Sequence, residues 1–352
     1  MENRVRLPAE WAAQSAVQLT WPHDQGDWED NLQPARACFT RIATALSRRQ
    51  TVLIVARDLE ERQAISSKLA EAGGVLDRCR FAIAPTDDSW ARDHSPLCVT
   101  GPEGPRLIKF EFNGWGGRYR AELDNALPLH LADQGIFGDT PLVETGIVLE
   151  GGAVECDGEG RFLLRRSCIV DDKRNPGMDT RAMSRALAEW LGADTIHWLD
   201  HGDLSGDDTD GHIDTLARFA PDGRVLYQGC QDTDDEHHPL LTAMAEELAA
   251  AFGRERLIEL PLPEAIRDST GRRMPAGYAN FLVANEQVLV PTYQDPSDAL
   301  ALERIGEAYP GREVVGIDCR ALVRQGGSLH CVTMQYPAGV VPPEAGLPAV
   351  TD

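Results

Sequence analysis

The chain has 352 residues, with 56 Asp and Glu against 34 Lys and Arg, giving a formal net charge of −22. That balance excludes binding to a phosphate backbone, which depends on clustered cations that release counterions, and it draws small cations toward the protein. With 42% hydrophobic residues there is material for a core, so global disorder is excluded, and no apolar run approaches the ~18 residues of a membrane span.

The opening residues MENRVRLPAEW lack an apolar stretch of signal-peptide type, so a cytoplasmic chain is expected. Eight cysteines stand at 38, 79, 98, 156, 168, 230, 319 and 331, the closest pairs twelve apart, so no CxxC or zinc-ribbon spacing exists. Reduced thiols acting mostly as small buried hydrophobes are the expectation.

Taken in order, LQPARACFTRIATALSRR (32–49) has helical spacing, TVLIVAR (51–57) is a β-branched strand, LEERQAISSKLAEAG (59–73) is helical and RFAIAP (80–85) is a strand. The loop DDSWARDHSP (87–96) sets Trp90 three residues before Asp93, a stacking face beside a carboxylate that suits a flat cation, or equally a salt-bridged loop around a buried Trp. A strand RLIKFEFN (106–113) leads into FNGWGGRY (112–119), where Trp115 among glycines has the character of an aromatic lid. In GIVLEGGAVEC (146–156), Glu150 ends an apolar strand before two glycines, as an ion-pair partner or a site carboxylate. RFLLRRSCIV (161–170) is a strand and TRAMSRALAEWLG (180–192) a helix.

Four aspartates crowd GDLSGDDTDGHIDTLARF (202–219) before His212. With HIDTLARFA (212–220) as a strand, His212 and Asp214 share one face, where an imidazole and a carboxylate can serve proton transfer and cation binding together. An EF-hand frame fails, because Gly206 and Ala217 would occupy its first and twelfth positions. Strands follow at 224–230, 278–285, 287–293 and 312–318, with helices at 239–253 and 298–309. Last comes GGSLHC (326–331); a strand over 328–336 would put Cys331 on one face and His330 on the other, leaving His330 a poor base for Cys331.

Hairpin signals at CDGEGR and APDGRV, interleaved with helices and without GxGxxG, predict a repeated ββαβ-like unit rather than a Rossmann sheet. Asp93, Glu150, His212, Asn280 and Cys331 follow one another at intervals of 57, 62, 68 and 51 residues, the trace left when each repeat supplies one side chain to a shared centre. A cysteine, a histidine and three carboxylates without a metal set or phosphate loop fit attack on a cationic carbon, and a guanidinium, planar and permanently charged, matches paired carboxylates.

Together LPAEWAAQSAVQLTWPH, DDSWARDHSP, FNGWGGRY, LEGGAVE, GDDTDGHIDTLARF, YANFLVANEQVLVPTY and GGSLHCVTMQ resemble the agmatine deiminase (agmatine iminohydrolase) and bacterial-type peptidyl-arginine deiminase family, over about residues 7–337. The resemblance implies one catalytic domain over 1–352 with the five-bladed, pseudosymmetric α/β propeller of the guanidino-group-modifying enzymes (the pentein fold). It also implies hydrolysis of agmatine to N-carbamoylputrescine and ammonia without metal or organic cofactor. By position it makes Cys331 the nucleophile, His212 the general acid and base, Asp93 and Asp214 the guanidinium-binding carboxylates, Glu150 the support of His212, and Trp90 and Trp115 the pocket walls. The expected partner is a small cationic guanidino compound, with no nucleic acid and no membrane; homo-oligomerisation is left open. Two departures stand out: Ser328 and Leu329 replace the family's usual Asn-Ile before His-Cys, and Ala276-Gly277-Tyr278 replaces Ala-Ser-Tyr. Arginine or peptidyl-arginine deimination is the main alternative, amidino transfer a weaker one, and a catalytically dead polyamine-binding module a third.

Overall fold

The computed structural model describes residues 4–342; residues 1–3 and 343–352 of the expected 1–352 domain lie outside them. Strand β1 (Gln14–Thr20) precedes helix Leu32–Ser47, which buries Ala35, Phe39, Ile42, Ala43 and Leu46 along one face. β2 (Thr51–Ala56) then lies parallel to β1. Helix Leu59–Glu71, whose N-cap Asp58 accepts from the Glu61 N–H, leads to β3 (Cys79–Ile83), parallel to β2.

Each following sheet repeats one plan: an antiparallel hairpin, a helix, and a third strand parallel to the second. β4 (Leu97–Gly101) and β5 (Gly104–Glu111) pair before helix Glu122–Asp133 and β6 (Leu142–Val148). β7 (Glu155–Cys156) and β8 (Arg161–Arg165) precede helix Thr180–Leu191 and β9 (Thr195–Leu199). β10 (Ala217–Phe219) and β11 (Val225–Gln228) precede helix His238–Phe252 and β12 (Leu257–Leu260). β13 (Leu282–Ala284) and β14 (Gln287–Thr292) precede helix Asp298–Ala308 and β15 (Glu313–Asp318). Finally β16 (Thr333–Pro337) returns antiparallel to β1, so the first sheet, ordered β16-β1-β2-β3, completes the same unit from the two ends of the chain. The fold is mixed α/β, with five small sheets among the described residues.

Several expected strands are shorter than predicted: RFLLRRSCIV is strand only over Arg161–Arg165 before a helical turn Arg166–Ile169, and GIVLEGGAVEC is broken by the 3-10 turn Gly151–Ala153. HIDTLARFA is a 3-10 turn, Ile213–Thr215, followed by a three-residue strand; YANFLVAN pairs only over Leu282–Ala284; SLHCVTMQY pairs only from Thr333. Ile213, Leu216, Phe281 and Leu329 are apolar because they are buried between sheets, and burial imitates a strand in sequence. Helix Glu122–Asp133 escaped prediction because Pro128 stands inside it. Among the described residues no helix is long and apolar enough to cross a membrane.

The connections from one sheet to the next carry Asp93, then Glu150, then His212 and Asp214, then Asn280, then Cys331. The near-sixty spacing therefore marks successive inter-sheet turns.

Closure of the first sheet can be probed at one bond. The Tyr336 hydroxyl on β16 donates to Gln18 Oε1 on β1 at 2.7 Å, both residues fully buried. Tyr336→Phe leaves that acceptor unpaired, so urea denaturation should show a loss of about 1–3 kcal/mol; an unchanged midpoint would mean that the bond does not help to close the sheet.

Candidate active site

The inter-sheet turns meet at one buried cluster. Asp93 lies in the one-turn helix Ala91–His94. Its Oδ1 accepts from the Gly152 N–H at 2.9 Å and its Oδ2 from the Trp115 indole N–H at 3.0 Å. His212 Nδ1 is 3.5 Å from Asp93 Oδ1, and its Nε2 is 3.9 Å from Glu150 Oε2 with no hydrogen-bond partner. Asp214 Oδ2 is 2.7 Å from His330 Nδ1 and 3.9 Å from Cys331 Sγ, while its Oδ1 is buried and unpartnered. The Cys331 thiol donates to Asn280 Oδ1 at 3.3 Å, an oxygen that also accepts from the His330 N–H at 2.9 Å.

Gly152 explains how these side chains approach so closely. A Cβ there would sit 2.6 Å from His212 Nδ1, 2.8 Å from Asp93 Oδ1 and 3.2 Å from Asp214 Oδ2, so only a hydrogen fits. His212 reaches the cluster from the N-cap of the 3-10 turn Ile213–Thr215 and Asp214 from its middle, rather than both from one strand face, correcting the register expected from sequence. Cys331 likewise sits in a turn ahead of β16.

A cleft with about 450 Å³ of empty volume opens above the cluster, with Cys331, Asp93, Trp90 and Trp115 in its wall and Asp27 and Asp208 also lining it. His212, Asp214 and Glu150 lie behind this wall, each almost fully buried. Trp115 has a left-handed backbone, φ 54°, and lies in a turn tied to the 207–210 loop by Arg118 on Asp210 and by the Tyr119 hydroxyl on Asp208. The turn carrying Trp115 is thus held by side chains. Among the described residues no group of three or more His, Cys, Asp or Glu is disposed to hold a metal ion.

The cluster is electrostatically loaded. Burial pushes the Cys331 thiol well above its ordinary range, and the Asp214 and Asp93 carboxylates push it further, so the thiol is neutral in the empty protein. Burial opposes charge on His212, but Asp93, Glu150, Asp214 and Asp207 outweigh it and raise its pKa. Burial raises Asp93 and Glu150; it would raise Asp214 too, but the His330 hydrogen bond and charge reverse the sign.

Sequence analysis missed Arg174 and took His330 for a bystander. The Arg174 Nε donates to both Glu150 oxygens, at 2.8 and 3.0 Å, and its Nη1 reaches Asp210 and Asp171. Nothing in DDKRNPG signals that role, whereas His330 was misjudged because a strand was assumed where the chain turns.

Two measurements follow from this geometry. Arg174→Met strands the fully buried Glu150 charge, so chemical denaturation should show a loss of about 3–5 kcal/mol; a loss below about 1 kcal/mol would mean that Glu150 is compensated elsewhere. Asp93→Asn removes the carboxylate that most raises His212, so the imidazolium should give up its proton at lower pH. An NMR titration of the His212 ring reads this directly, and an unmoved or rising midpoint would contradict the assignment.

A family model described as Porphyromonas-type peptidyl-arginine deiminase matches residues 6–337. The chain is 31% identical to an agmatine deiminase of Ectopseudomonas mendocina, over 94% of this chain and 95% of that one. It is 43% identical to a putative arginine deiminase of Porphyromonas gingivalis, covering 96% of this chain and 100% of the other with a TM-score of 0.89. A substrate-bound cysteine-to-serine variant of C. jejuni agmatine deiminase is 31% identical, covering 96% and 97%, also with a TM-score of 0.89. With its match running from residue 6 through Cys331 to residue 337, the chain belongs to the Porphyromonas-type peptidyl-arginine deiminase family.

Proposed function

We propose that this protein hydrolyses the guanidino group of agmatine to N-carbamoylputrescine and ammonia through a covalent Cys331 intermediate. The observation that carries this reading is the pair of buried, unpartnered atoms, His212 Nε2 and Asp214 Oδ1, beside a neutral thiol in a cleft whose lining residues include Asp27, Asp88, Asp93 and Asp208 and no Lys or Arg. A planar cation supplies the donors that Asp214 Oδ1 lacks, and its charge offsets the carboxylates that hold the thiol neutral. Binding thus releases the thiol proton only when substrate is present.

In the reaction so derived, the Cys331 thiolate forms a bond to the guanidinium carbon. The His212 imidazolium gives its proton to one NH₂, which leaves as ammonia as the C–N bond breaks and an S-amidino cation remains. Water then attacks that carbon, with neutral His212 taking its proton. The C–S bond breaks, the thiolate leaves, the ureido product sheds a proton, and ammonia takes one up. Asp93 and Asp214 clamp the cation throughout, Glu150 steadies His212, and Trp90 and Trp115 wall the alkyl chain. No metal or organic cofactor takes part.

The five ββαβ sheets contributing to one centre support a single catalytic domain built as a five-bladed, pseudosymmetric α/β propeller. Eight free, buried cysteines accord with a reducing cytoplasm.

An agmatine end group is an ammonium, compatible with the acidic lining, whereas free arginine would bring a carboxylate with no cationic partner. Agmatine should therefore be preferred by at least ~10²-fold in kcat/KM, since sites that leave a polar group unpaired reject it strongly. The 43% identity to a putative arginine deiminase favours the second reading, deimination of arginine or peptidyl-arginine. An ammonia-release panel over agmatine, arginine and a blocked peptidyl-arginine decides between them; comparable efficiency on arginine would establish the second. Cys331→Ser should abolish turnover while agmatine still binds calorimetrically, with Cys230→Ser as the active control. Turnover surviving in Cys331→Ser would remove Cys331 as nucleophile.

A further inference from the structure

His330 is adjacent to the nucleophile, yet neither of its ring nitrogens serves it. Nδ1 lies 2.7 Å from Asp214 Oδ2 and Nε2 lies 2.7 Å from Glu10 Oε2, all three residues being buried. Each contact needs an N–H on the imidazole, and a ring that donates from both nitrogens is a cation. Glu10 is itself immobilised: its Oε1 accepts from the Val283 N–H at 2.6 Å and its Oε2 from Arg218 at 2.8 Å. Arg218 is held in turn by Glu155 at 2.9 Å and the Phe281 carbonyl at 2.6 Å. A rigid line thus runs from the segment before β1, through Glu10 and His330, to Asp214.

The line ends on one oxygen of Asp214 and leaves the other, Oδ1, buried without a partner. We propose that His330 is a positioning residue: anchored by Glu10, it occupies Asp214 Oδ2 and so presents Oδ1, ionised, to the substrate cation. The proposal rests on the clamp described under the proposed function. The other charged or titratable groups that act on Asp214 or on its surroundings are His212, Asp93, Cys331, Arg92 and Arg218. Arg92 and Arg218 lie 3.9 and 2.8 Å from Glu10 Oε2 and reach Asp214 by charge alone, so neither substitutes for His330 as a donor to Asp214.

His330→Gln cannot bridge the two carboxylates and removes the cation between them. In that variant KM for agmatine should rise by ~10- to 100-fold with a smaller fall in kcat, as for loss of a charge-assisted contact that aligns a binding group. The acid limb of kcat/KM should also move to higher pH and steepen, because Asp214, no longer beside a cation, takes up a proton in the range where the raised Asp93 already does. Glu10→Gln keeps His330 but loosens its anchor, so it should move both quantities the same way by less; it serves if the first variant folds poorly. A purely structural role would lower the melting temperature of both variants and leave the acid limb in place, which would overturn the proposal.

The crystal structure of either variant separates this inference from the functional reading. If wild-type protein releases no ammonia from agmatine, the proposed function fails, but Asp214 rotated away in His330→Gln still supports the positioning role. Asp214 found unmoved, with KM within ~threefold of wild type, removes His330 from that role even if agmatine is the substrate.

Discussion

Asp93 lines a cleft with no cationic side chain among its lining residues, Glu150 and Asp214 lie buried behind it, and the protein must carry that negative charge before any ligand arrives. A buried charge without compensation costs several kcal/mol, so each carboxylate needs relief from behind the wall. Glu150 takes it from Arg174, and Asp214 from His330. Asp93 takes it from the Gly152 and Trp115 N–H groups and from His212, and among the described residues no arginine or lysine pairs with it. Compensation is placed so that it never enters the cleft, which keeps the open face of the cluster selective for positive charge.

Bringing these groups so close requires backbone that yields. Two of the inter-sheet connections, those carrying Glu150 and His212, contain short 3-10 segments, and Gly152 lets three side chains converge where a methyl group would collide with His212 and Asp93 and crowd Asp214. Gly327 does the same for the Trp90 ring, against which a Cβ would press. The sheets are small because their task is to carry these turns inward, and the long helices cover their outer faces, as Met183, Leu187 and Leu191 do on helix Thr180–Leu191.

Much of this was legible in sequence. Helices such as Thr180–Leu191 and Asp298–Ala308 declare themselves by apolar spacing, and the hairpin turns at 156–161 and 220–225 betray the repeat. Asp93, Glu150, His212, Asn280 and Cys331 stood out through their motifs, and their near-sixty intervals matched the repeat. What could not be read is which way a side chain turns when the chain leaves a strand. The alternation rule assigned His330 to the far face and made Asp214 a strand neighbour of His212, because apolar residues buried between sheets mimic a strand. Arg174 was invisible because its partner Glu150 is 24 residues away, and nothing local records a contact made by packing.

The pairing of β16 with β1 joins Pro337 to Gln14, almost the whole length of the chain apart. Until β16 emerges during synthesis, β1 exposes an unpaired hydrogen-bonding edge, a template for other chains. Cys331 emerges just ahead of β16, so an interrupted chain lacks that cysteine together with the strand that pairs with β1. Such a contact separation makes closure a late and slow folding event. Unfinished molecules thus carry an unpaired sheet edge, the feature that invites pairing with another chain.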